Sequence, residues 1–200
     1  MHHLFLASRN AHKTRELAEM LGSEFALEDL QGHPEIDEVV EDGATFADNA
    51  RLKAVAISQQ LPGLVLADDS GLEVDSLGGA PGVFSARYAG VEASDEATRQ
   101  KLLVERAKRG PEAPRMARFH CALALARDGK VLAICEGSVA GEIVRQARGS
   151  AGFGYDPLFQ PNESSETFAE LPPAKKNSIS HRGRAIAKMK QFLRGANLLK

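Results

Sequence analysis

The chain has no tryptophan, only two cysteines, and no apolar run approaching the roughly 20 residues that cross a bilayer. No Cys/His spacing indicates a zinc site, and nothing suggests export, so we expect Cys121 and Cys135 to be reduced core thiols. The N-terminus lacks the pattern of a secretory signal. We therefore expect a cytoplasmic protein that does not act at a membrane.

A basic excess is also lacking. The 25 Lys and Arg residues face 27 Asp and Glu residues, which gives a net charge of −2. Binders of nucleic-acid polymers usually carry surplus positive charge and stacking aromatics, so this class is not expected. The phosphate-loop pattern of kinases and GTPases is missing as well. If the protein binds phosphates, it must do so with a few cations in a cleft.

The composition and the apolar pattern of the chain predict one α/β domain over residues 1–200. Both halves of the chain are expected to contribute to a shared cleft. The 43% hydrophobic content is enough for one well-filled core. The expected elements are a first strand at Leu4–Ala7, helices over Ala11–Leu21, from Thr45 to about Gln60 and from Ser94 to before Gly110, a hairpin of Phe119–Ala126 and Lys130–Val139 around Asp128-Gly129, and a last helix from about Ser180.

Two adjacent carboxylates, Asp68 and Asp69, follow the apolar run Leu64–Ala67. The run predicts a buried strand that ends at the two acids, and open α/β sheets bind ligands beyond such ends. Two carboxylates this close resist joint ionisation unless a cation lies between them or one of them keeps its proton. They are candidates for holding a divalent metal and activating water. An Asp-Ser-Gly turn that only caps backbone amides is an equal alternative from this segment alone.

Basic residues lie in the first turn of two predicted helices, where the helix dipole normally disfavours them. Lys13 follows Ser8-Arg9-Asn10, and His181-Arg182 follow Ser178-Ile179-Ser180. Both placements are explained if an anion binds there. Lys53 lies on the otherwise apolar face of the second helix and could extend toward the strand ends, while Glu41 upstream could supply a further metal ligand.

The segment Gly152–Pro157 surrounds Phe153 with glycines and leaves its ring free to stack on a flat ligand. An aromatic plug in a turn is the alternative. Asp156 could accept hydrogen bonds from a base edge, and Lys176 with Arg182 offers donors.

These residues fall into blocks that resemble the inosine triphosphate pyrophosphatase family, which hydrolyses non-standard purine nucleoside triphosphates such as ITP, dITP and XTP. The blocks run in the expected order from end to end: Ser8–Lys13, Thr45–Lys53, Ala67–Gly71 with Gly78–Tyr88, Gly152–Phe159, and Ser178–Gly183. One position departs from the family pattern, because Arg9 stands where the first block usually has glycine.

The resemblance implies an elongated mixed sheet with flanking helices, two lobes around an active-site cleft, a homodimer, and Mg²⁺-dependent cleavage between the α- and β-phosphates. It implies that Asp69 activates water and that Glu41, Asp68 and Asp69 hold Mg²⁺. The remaining residues that it places at the substrate are Asn10, Lys13, Lys53 and Ser70 on the phosphates, Phe153, Asp156, Lys176, His181 and Arg182 around the purine, and Ser8, Arg9, Gly154 and Tyr155 beside them.

Two other functions stay open. A phosphatase that forms an aspartyl-phosphate would release phosphate instead of pyrophosphate, although the spaced Asp-x-Asp usual for such nucleophiles is missing. A nucleotide sensor would bind substrate and Mg²⁺ without turnover.

Overall fold

A computed structural model describes residues 2–196 and contains a six-stranded mixed sheet with helices, which confirms the expected α/β class. The strand order is β2-β1-β3-β4-β5-β6. β1 pairs in parallel with β2 and β3, whereas β5 and β6 are antiparallel. The strands are β1 His2–Leu6, β2 Phe25–Asp29, β3 Leu64–Val74, β4 Met116–Arg127, β5 Lys130–Ile143 and β6 Phe159–Pro161.

Three of the helices begin at the side-chain caps that local sequence indicates. Asn10 accepts from the backbone of Lys13, Thr45 from that of Asp48, and Ser94 from that of Ala97. The helices are α1 Ala11–Leu21, α2 Phe46–Ser58, α3 Asp95–Ala107, α4 Pro173–Ile179 and α5 His181–Gly195. The predictions for α1, α2, α3 and α5 are confirmed within two residues. The short helix α4 was not predicted.

The hairpin of β4 and β5 confirms another local prediction and is longer than expected. Asp128 and Gly129 have φ values of 51° and 73°. Two successive left-handed residues form the type I′ turn that matches strand twist, and Asp-Gly is one of its favoured pairs. Both cysteines of the hairpin are free thiols, with Cys121 buried and Cys135 half-buried. Both thiols are free as predicted, but only Cys121 is fully buried in the core.

The prediction that a strand ends at Asp68 and Asp69 is wrong, because β3 continues through both acids to Val74. A buried carboxylate is tolerated inside a strand when cations compensate its charge, and the sequence around Asp68 contains no such partner. The pairing with β1, however, ends at Leu6 and Leu66. The two acids therefore lie just beyond the carboxyl end of β1, the edge at which α/β sheets place ligands.

The chain divides into two compact units. The first comprises the residues up to Asp69, Cys121–Gly137, and those from His181 onward. Its core packs β1, β3 and β4 against the apolar faces of α1 and α5. Leu17 and Leu21 on α1 are buried, and the predicted stripe of Ile186, Met189 and Leu193 on α5 is buried as well. The 3.6-residue period of these helices explains the agreement.

The second unit comprises Ser70–His120 and Ser138–Ser180. Its core contains three phenylalanines in mutual contact, Phe119, Phe159 and Phe168, with ring centroids 4.8 to 5.9 Å apart. Aromatic pairs at this spacing add about 0.5–1.5 kcal/mol each beyond the area that they bury. Phe159 lies at the start of β6, so this cluster supports the loop that precedes it.

None of the helices within residues 2–196 is both long and apolar enough to span a bilayer.

Candidate active site

The Asp68 carboxylate is fully buried in the first unit and lies between two cations. Its Oδ1 is 2.6 Å from Nζ of Lys13, and its Oδ2 accepts from Nε of Arg182 at 2.9 Å. The Cys121 thiol lies 3.3 Å from the same Oδ2. Burial opposes ionisation, but Arg182 and Lys13 outweigh it and hold the pKa of Asp68 well below its usual range. Asp68 is therefore an ionised anchor of this unit.

Arg182 has a second acidic partner, because its Nη1 donates to Glu16 Oε2 at 2.6 Å. Burial disfavours the charged guanidinium, yet Asp68 and Glu16 raise its pKa. Sequence reasoning assigned an external anion to the cations at both helix N-termini. In the structure, Lys13 and Arg182 instead form ion pairs with a carboxylate of the protein itself, that of Asp68. Whether either cation also contacts a substrate stays a prediction.

The neighbouring Asp69 has an opposite environment. It is 6% exposed, its Oδ1 is 3.4 Å from Nζ of Lys53, and its Oδ2 is buried without a hydrogen-bond partner. Burial and the nearby Glu41 raise the pKa of Asp69, and the charges of Lys53 and Lys13 only partly offset this. Asp69 thus takes up a proton more readily than an ordinary aspartate and presents one unsatisfied acceptor oxygen.

Lys53 on α2 joins the acids into one network. Its Nζ is 3.2 Å from Glu41 Oε2 and donates to the backbone carbonyl of Asp68 at 3.0 Å, in addition to its contact with Asp69. Lys53 is only 8% exposed, which is unusual for a lysine. The Lys53 side chain therefore extends past the apolar face of α2 to Asp68 and Asp69 on β3, as the sequence predicted.

Asn49, one helical turn before Lys53, fixes the loop that contains Glu41. Its Oδ1 accepts from the Gly43 amide at 2.8 Å, and a Cβ at Gly43 would lie 2.7 Å from this oxygen, so only glycine allows the approach. The Asn49 amide also favours the ionised form of Asp69, although its Nδ2 is not aligned for a full hydrogen bond. Asn49 therefore belongs to the site.

A magnesium ion fits part of this arrangement. The Glu41 carboxylate is partly exposed, and the orphaned Oδ2 of Asp69 is a hard oxygen ligand of the kind that Mg²⁺ prefers. Asp68 fits less well because cations engage both of its oxygens. Within residues 2–196 no three His, Cys, Asp or Glu side chains group closely enough to form a metal site. The ion would need further oxygens from water or substrate, which Mg²⁺ normally keeps.

The first sequence block, Ser8-Arg9-Asn10, makes contacts that shape the chain. Ser8 Oγ accepts from the Asn10 amide at 3.1 Å, and Asn10 caps α1. Arg9 extends to the carbonyls of His33 and Ile36 at 3.1 and 2.5 Å. Arg9 therefore anchors the segment that leads toward Glu41. The substrate contacts predicted for these three residues stay predictions.

In the second unit, Asp156 organises the loop around Phe153. Its Oδ2 accepts from the Phe153 amide at 2.9 Å and from Nζ of Lys176 at 2.7 Å. The same ammonium lies 5.4 Å from the centroid of the Phe153 ring, within cation–π range. Gly152 has φ of +75°, and a Cβ there would lie 2.0 Å from Oδ2 of Asp156. The two acceptor bonds thus position the ring and the lysine.

Helix α3 holds the same loop from its other side. Asp95 Oδ2 accepts from the Gly154 amide at 2.6 Å, and Nη1 of Arg99 donates to the Gly154 carbonyl at 2.8 Å. Tyr155 is buried and donates to the carbonyl of Ser85 at 3.0 Å. Burial raises the pKa of this phenol. Tyr155 is therefore an anchor within the second unit.

The structure thus brings together Lys13, Lys53, Glu41, Asp68, Asp69 and Arg182 in the first unit, and Phe153, Gly154, Tyr155, Asp156 and Lys176 in the second. Ser70 follows Asp69 on β3 and is half-buried. His181 is buried at the start of α5, where a Cβ on Gly137 would lie 2.3 Å from its carbonyl oxygen. That both sets of residues line one shared cleft stays a prediction.

Besides Asn49, sequence reasoning missed four contributors: Glu16, Cys121, Asp95 and Arg99. Glu16 lies one turn after Lys13 on α1, but its partner Arg182 is 166 residues away. Asp95 was identified only as part of a helix start. No local signal marks any of them, because each acts through a partner that is distant in sequence.

The fold is α/β, and the charged residues of its first unit form an acid–lysine network of Lys13, Glu41, Lys53, Asp68, Asp69 and Arg182. The chain belongs to the Ham1 family, whose model matches residues 4–192. It is 49% identical to a dITP/XTP pyrophosphatase of Desulforamulus reducens over 95% of this chain and 94% of that protein, and 48% identical to one of Geobacter sulfurreducens over 96% and 97%.

Solved structures give the same result. A HAM1 protein from Coxiella burnetii superposes with a TM-score of 0.86 at 41% identity, covering 98% of this chain and all of that one. A nucleoside-triphosphatase/dITP/XTP pyrophosphatase from Mycobacterium abscessus superposes with a TM-score of 0.74 at 42% identity, covering 94% and 98%. The family resemblance found in the sequence is thus confirmed.

Proposed function

We propose that this protein hydrolyses non-standard purine nucleoside triphosphates, dITP, XTP and ITP, to the monophosphate and pyrophosphate. The observation that carries the proposal is the 49% identity to a dITP/XTP pyrophosphatase over nearly the whole of both chains. The acid–lysine network supports it, because the network combines an acceptor oxygen with cations suited to phosphates.

In the proposed reaction Asp69 is the general base. Water attacks the α-phosphorus, the bond from this phosphorus to the bridging oxygen breaks, and pyrophosphate leaves. The proton of the water passes to Asp69, whose Oδ2 is buried without a hydrogen-bond partner. Without a bound cation, burial raises the pKa of Asp69, and a Mg²⁺ ion held by this carboxylate would lower it.

Lys53 would stabilise the charge that develops on the phosphates, as cations do in phosphoryl transfer generally. Glu41 and Asp69 would hold Mg²⁺, with Asp68 as the less well fitting third ligand. When bound, this ion offsets the negative charge of the triphosphate and lowers the pKa of water. Lys53 lies between Glu41 and Asp69 and occupies part of the space between these carboxylates, so we expect its ammonium to move toward the phosphates when a substrate is bound.

Purine recognition is proposed for the second unit. The Phe153 ring would stack on the base, and the Lys176 ammonium, which Asp156 holds at 2.7 Å, would donate to the 6-oxo group. Adenine presents a donor at this position, so two donors would face each other without a partner. Discrimination against adenine by unpaired buried polar groups can reach about 10⁴-fold. Guanine carries the same 6-oxo group, so its exclusion must depend on its 2-amino group.

The other predictions made from the sequence are part of the proposal. They are a single catalytic domain over residues 1–200, a homodimer, a cytoplasmic location, and no nucleic-acid polymer or membrane as partner. Sedimentation of the purified protein tests the dimer directly.

The deciding experiment measures pyrophosphate and phosphate release separately from dITP, XTP, ITP, dATP and GTP, with Mg²⁺ and with EDTA. We expect pyrophosphate release from the first three substrates only, and only with Mg²⁺. Release of phosphate in place of pyrophosphate would instead favour an aspartyl-phosphate mechanism. Binding of ITP without release of either product would favour a nucleotide sensor.

A further inference from the structure

A cavity of about 290 Å³ lies in the second unit, where α3 ends and the chain leads into β4. Its lining consists of three arginines and three small or apolar residues: Arg106, Arg115, Arg145, Ala107, Gly110 and Pro111. None of these residues takes part in the acid–lysine network or in the Phe153 loop. The volume is at the lower end of the range for small-molecule sites, so a small occupant is expected.

Arg106 contributes a buried donor that lacks an acceptor. The residue is 9% exposed, and its Nη2 donates to the carbonyl of Ala113 at 2.9 Å. Its Nε is buried without a hydrogen-bond partner. Leaving a buried polar group unpaired costs about 1–3 kcal/mol, and more when the group is charged. A guanidinium can only donate, so the missing partner must be an acceptor.

The other two arginines add charge without neutralising it. Arg115 is half-buried and donates from Nη2 to the carbonyl of Ile143, and Arg145 is exposed. Burial lowers the pKa of Arg115, and the positive charges of Arg106 and Arg145 lower it further, whereas Glu142 opposes them. The charged neighbours that act on Arg115 are therefore two cations and only one carboxylate.

Three other arginines of the unit have acidic partners. Arg99 pairs with Glu96, Arg118 with Asp75, and Arg148 with Glu170. Within the part of the chain that the structure describes, none of the three cavity arginines forms an ion pair. The carbonyl end of α3 supplies the equivalent of only about half a negative charge. Together with Glu142 this leaves a net positive charge at the cavity.

We propose that this cavity binds a small oxyanion of the phosphate class: inorganic phosphate, pyrophosphate, or the phosphate group of a small metabolite. Arginine forks match the geometry of phosphate oxygens and form charge-assisted hydrogen bonds with them. The anion would accept from Nε of Arg106 and offset the mutual repulsion of the three cations.

The test follows the Arg106 Nε–H signal by ¹⁵N NMR and measures affinity by calorimetry, with inorganic phosphate, pyrophosphate and AMP as separate probes. Arg145→Gln is the main variant, because Arg145 is exposed and forms no hydrogen bond or ion pair within the described residues, so the fold should be retained. Arg109→Gln is the matched control: it removes the same charge beside the same helix end, but Arg109 does not line the cavity.

We expect at least one probe to shift the Arg106 Nε–H signal, and Arg145→Gln to weaken that binding about tenfold, while Arg109→Gln changes it less than twofold. A tenfold loss corresponds to one charge-assisted hydrogen bond of about 1.4 kcal/mol. Equal affinity for phosphate and AMP would identify a single phosphate group as the ligand, and preference for pyrophosphate would identify a diphosphate.

Three results would overturn the proposal. The first is an Arg106 signal that no probe moves at millimolar concentration. The second is an equal loss of affinity in Arg109→Gln and Arg145→Gln, which would indicate diffuse attraction alone. The third is a change of oligomeric state in Arg145→Gln without a change in anion affinity, because the cavity would then accept a protein carboxylate.

Discussion

The acid–lysine network of the first unit and the Phe153 loop of the second are built differently. In the first, charged side chains mainly contact each other: Asp68 with Lys13 and Arg182, and Lys53 with Glu41 and Asp69. In the second, polar side chains hold backbone groups. Asp156 accepts from the Phe153 amide, and α3 binds both the amide and the carbonyl of Gly154.

This difference has a functional meaning under the proposed reaction. A group that must gain and lose a proton needs an electrostatic environment that sets its pKa. A ring that recognises a base needs a fixed position, which backbone hydrogen bonds provide at little electrostatic cost. The first unit therefore sets the pKa values of its carboxylates, and the second holds the Phe153 ring in a fixed position.

Asp68 and Asp69 show the clearest difference in pKa within the first unit. These are adjacent residues of one type on one strand, yet the pKa of Asp68 is lowered and that of Asp69 is raised. Cations occupy both oxygens of the first carboxylate, whereas one oxygen of the second has no partner. Substituting each in turn separates stability from activity.

The largest effect is expected for Asp69→Asn. Loss of a general base typically lowers turnover by about 10²–10⁴-fold, and we expect this loss in kcat for ITP with little change in substrate affinity. The fold should be as stable as before or more so, because burial already disfavours the charge of Asp69. Kinetics, calorimetry and thermal unfolding measure the three quantities. A kcat within threefold of the wild type would exclude Asp69 as the base.

Asp68→Asn should chiefly reduce stability. The change leaves Lys13 without its ion-pair partner and Arg182 with Glu16 alone. Removing one partner of a buried ion pair costs about 3–5 kcal/mol. Urea unfolding of this variant beside Asp69→Asn gives the comparison, since the two changes are identical in chemistry and adjacent in sequence. Equal stability of the two variants would contradict the interpretation of Asp68 as the anchor.

The pH dependence of Asp68 provides an independent check. The lowered pKa in the fold means that the unfolded chain binds more protons below the ordinary value of 3.8. The contribution of Asp68 is therefore fully present above that pH and is lost as the pH falls toward the value in the fold. The difference in unfolding free energy between wild type and Asp68→Asn should shrink over the same interval. A constant difference would mean that the ion pairs do not stabilise the protein.

A smaller effect is expected for Gly152→Ala in the Phe153 loop. The new Cβ would meet Asp156 Oδ2 at 2.0 Å, and the backbone has φ of +75°. Gly154→Ala is the matched control, because it introduces similar backbone strain at φ of +59° with nothing within 4 Å. We expect Gly152→Ala to cost about 1–3 kcal/mol more in stability than Gly154→Ala, the usual cost of overpacking. Equal losses would show that only strain matters.

The smallest effect is expected for Arg99→Gln, which removes one hydrogen bond to the Gly154 carbonyl. A bond of this kind contributes about 1.5 kcal/mol, so the KM for ITP should rise by about tenfold or less. The value of kcat should change little, because Arg99 acts on the loop and not on the acid–lysine network. Steady-state kinetics with Arg118→Gln as a control distinguish this from a general charge effect. A fall in kcat at constant KM would disprove the positioning role.

Much of the fold was predictable because it depends on local patterns. Asn10, Thr45 and Ser94 cap helices as their residue types indicate, and Asp128-Gly129 forms the expected turn. The family blocks also gave the residues of the candidate site by number. Helix α4 was missed because its 7 residues are too few to show an apolar period.

The sequence by itself determined the caps, the turn, the buried helix faces and the family of this protein, because each depends on residues within a few positions or on a matched block. Only the tertiary structure decided that β3 continues through two acids and that Asp68 is ionised while Asp69 resists ionisation. The physical reason is that a buried charge is stabilised by partners brought near in space. Arg182 lies 114 residues from Asp68 along the chain, and no local pattern reveals that the two meet.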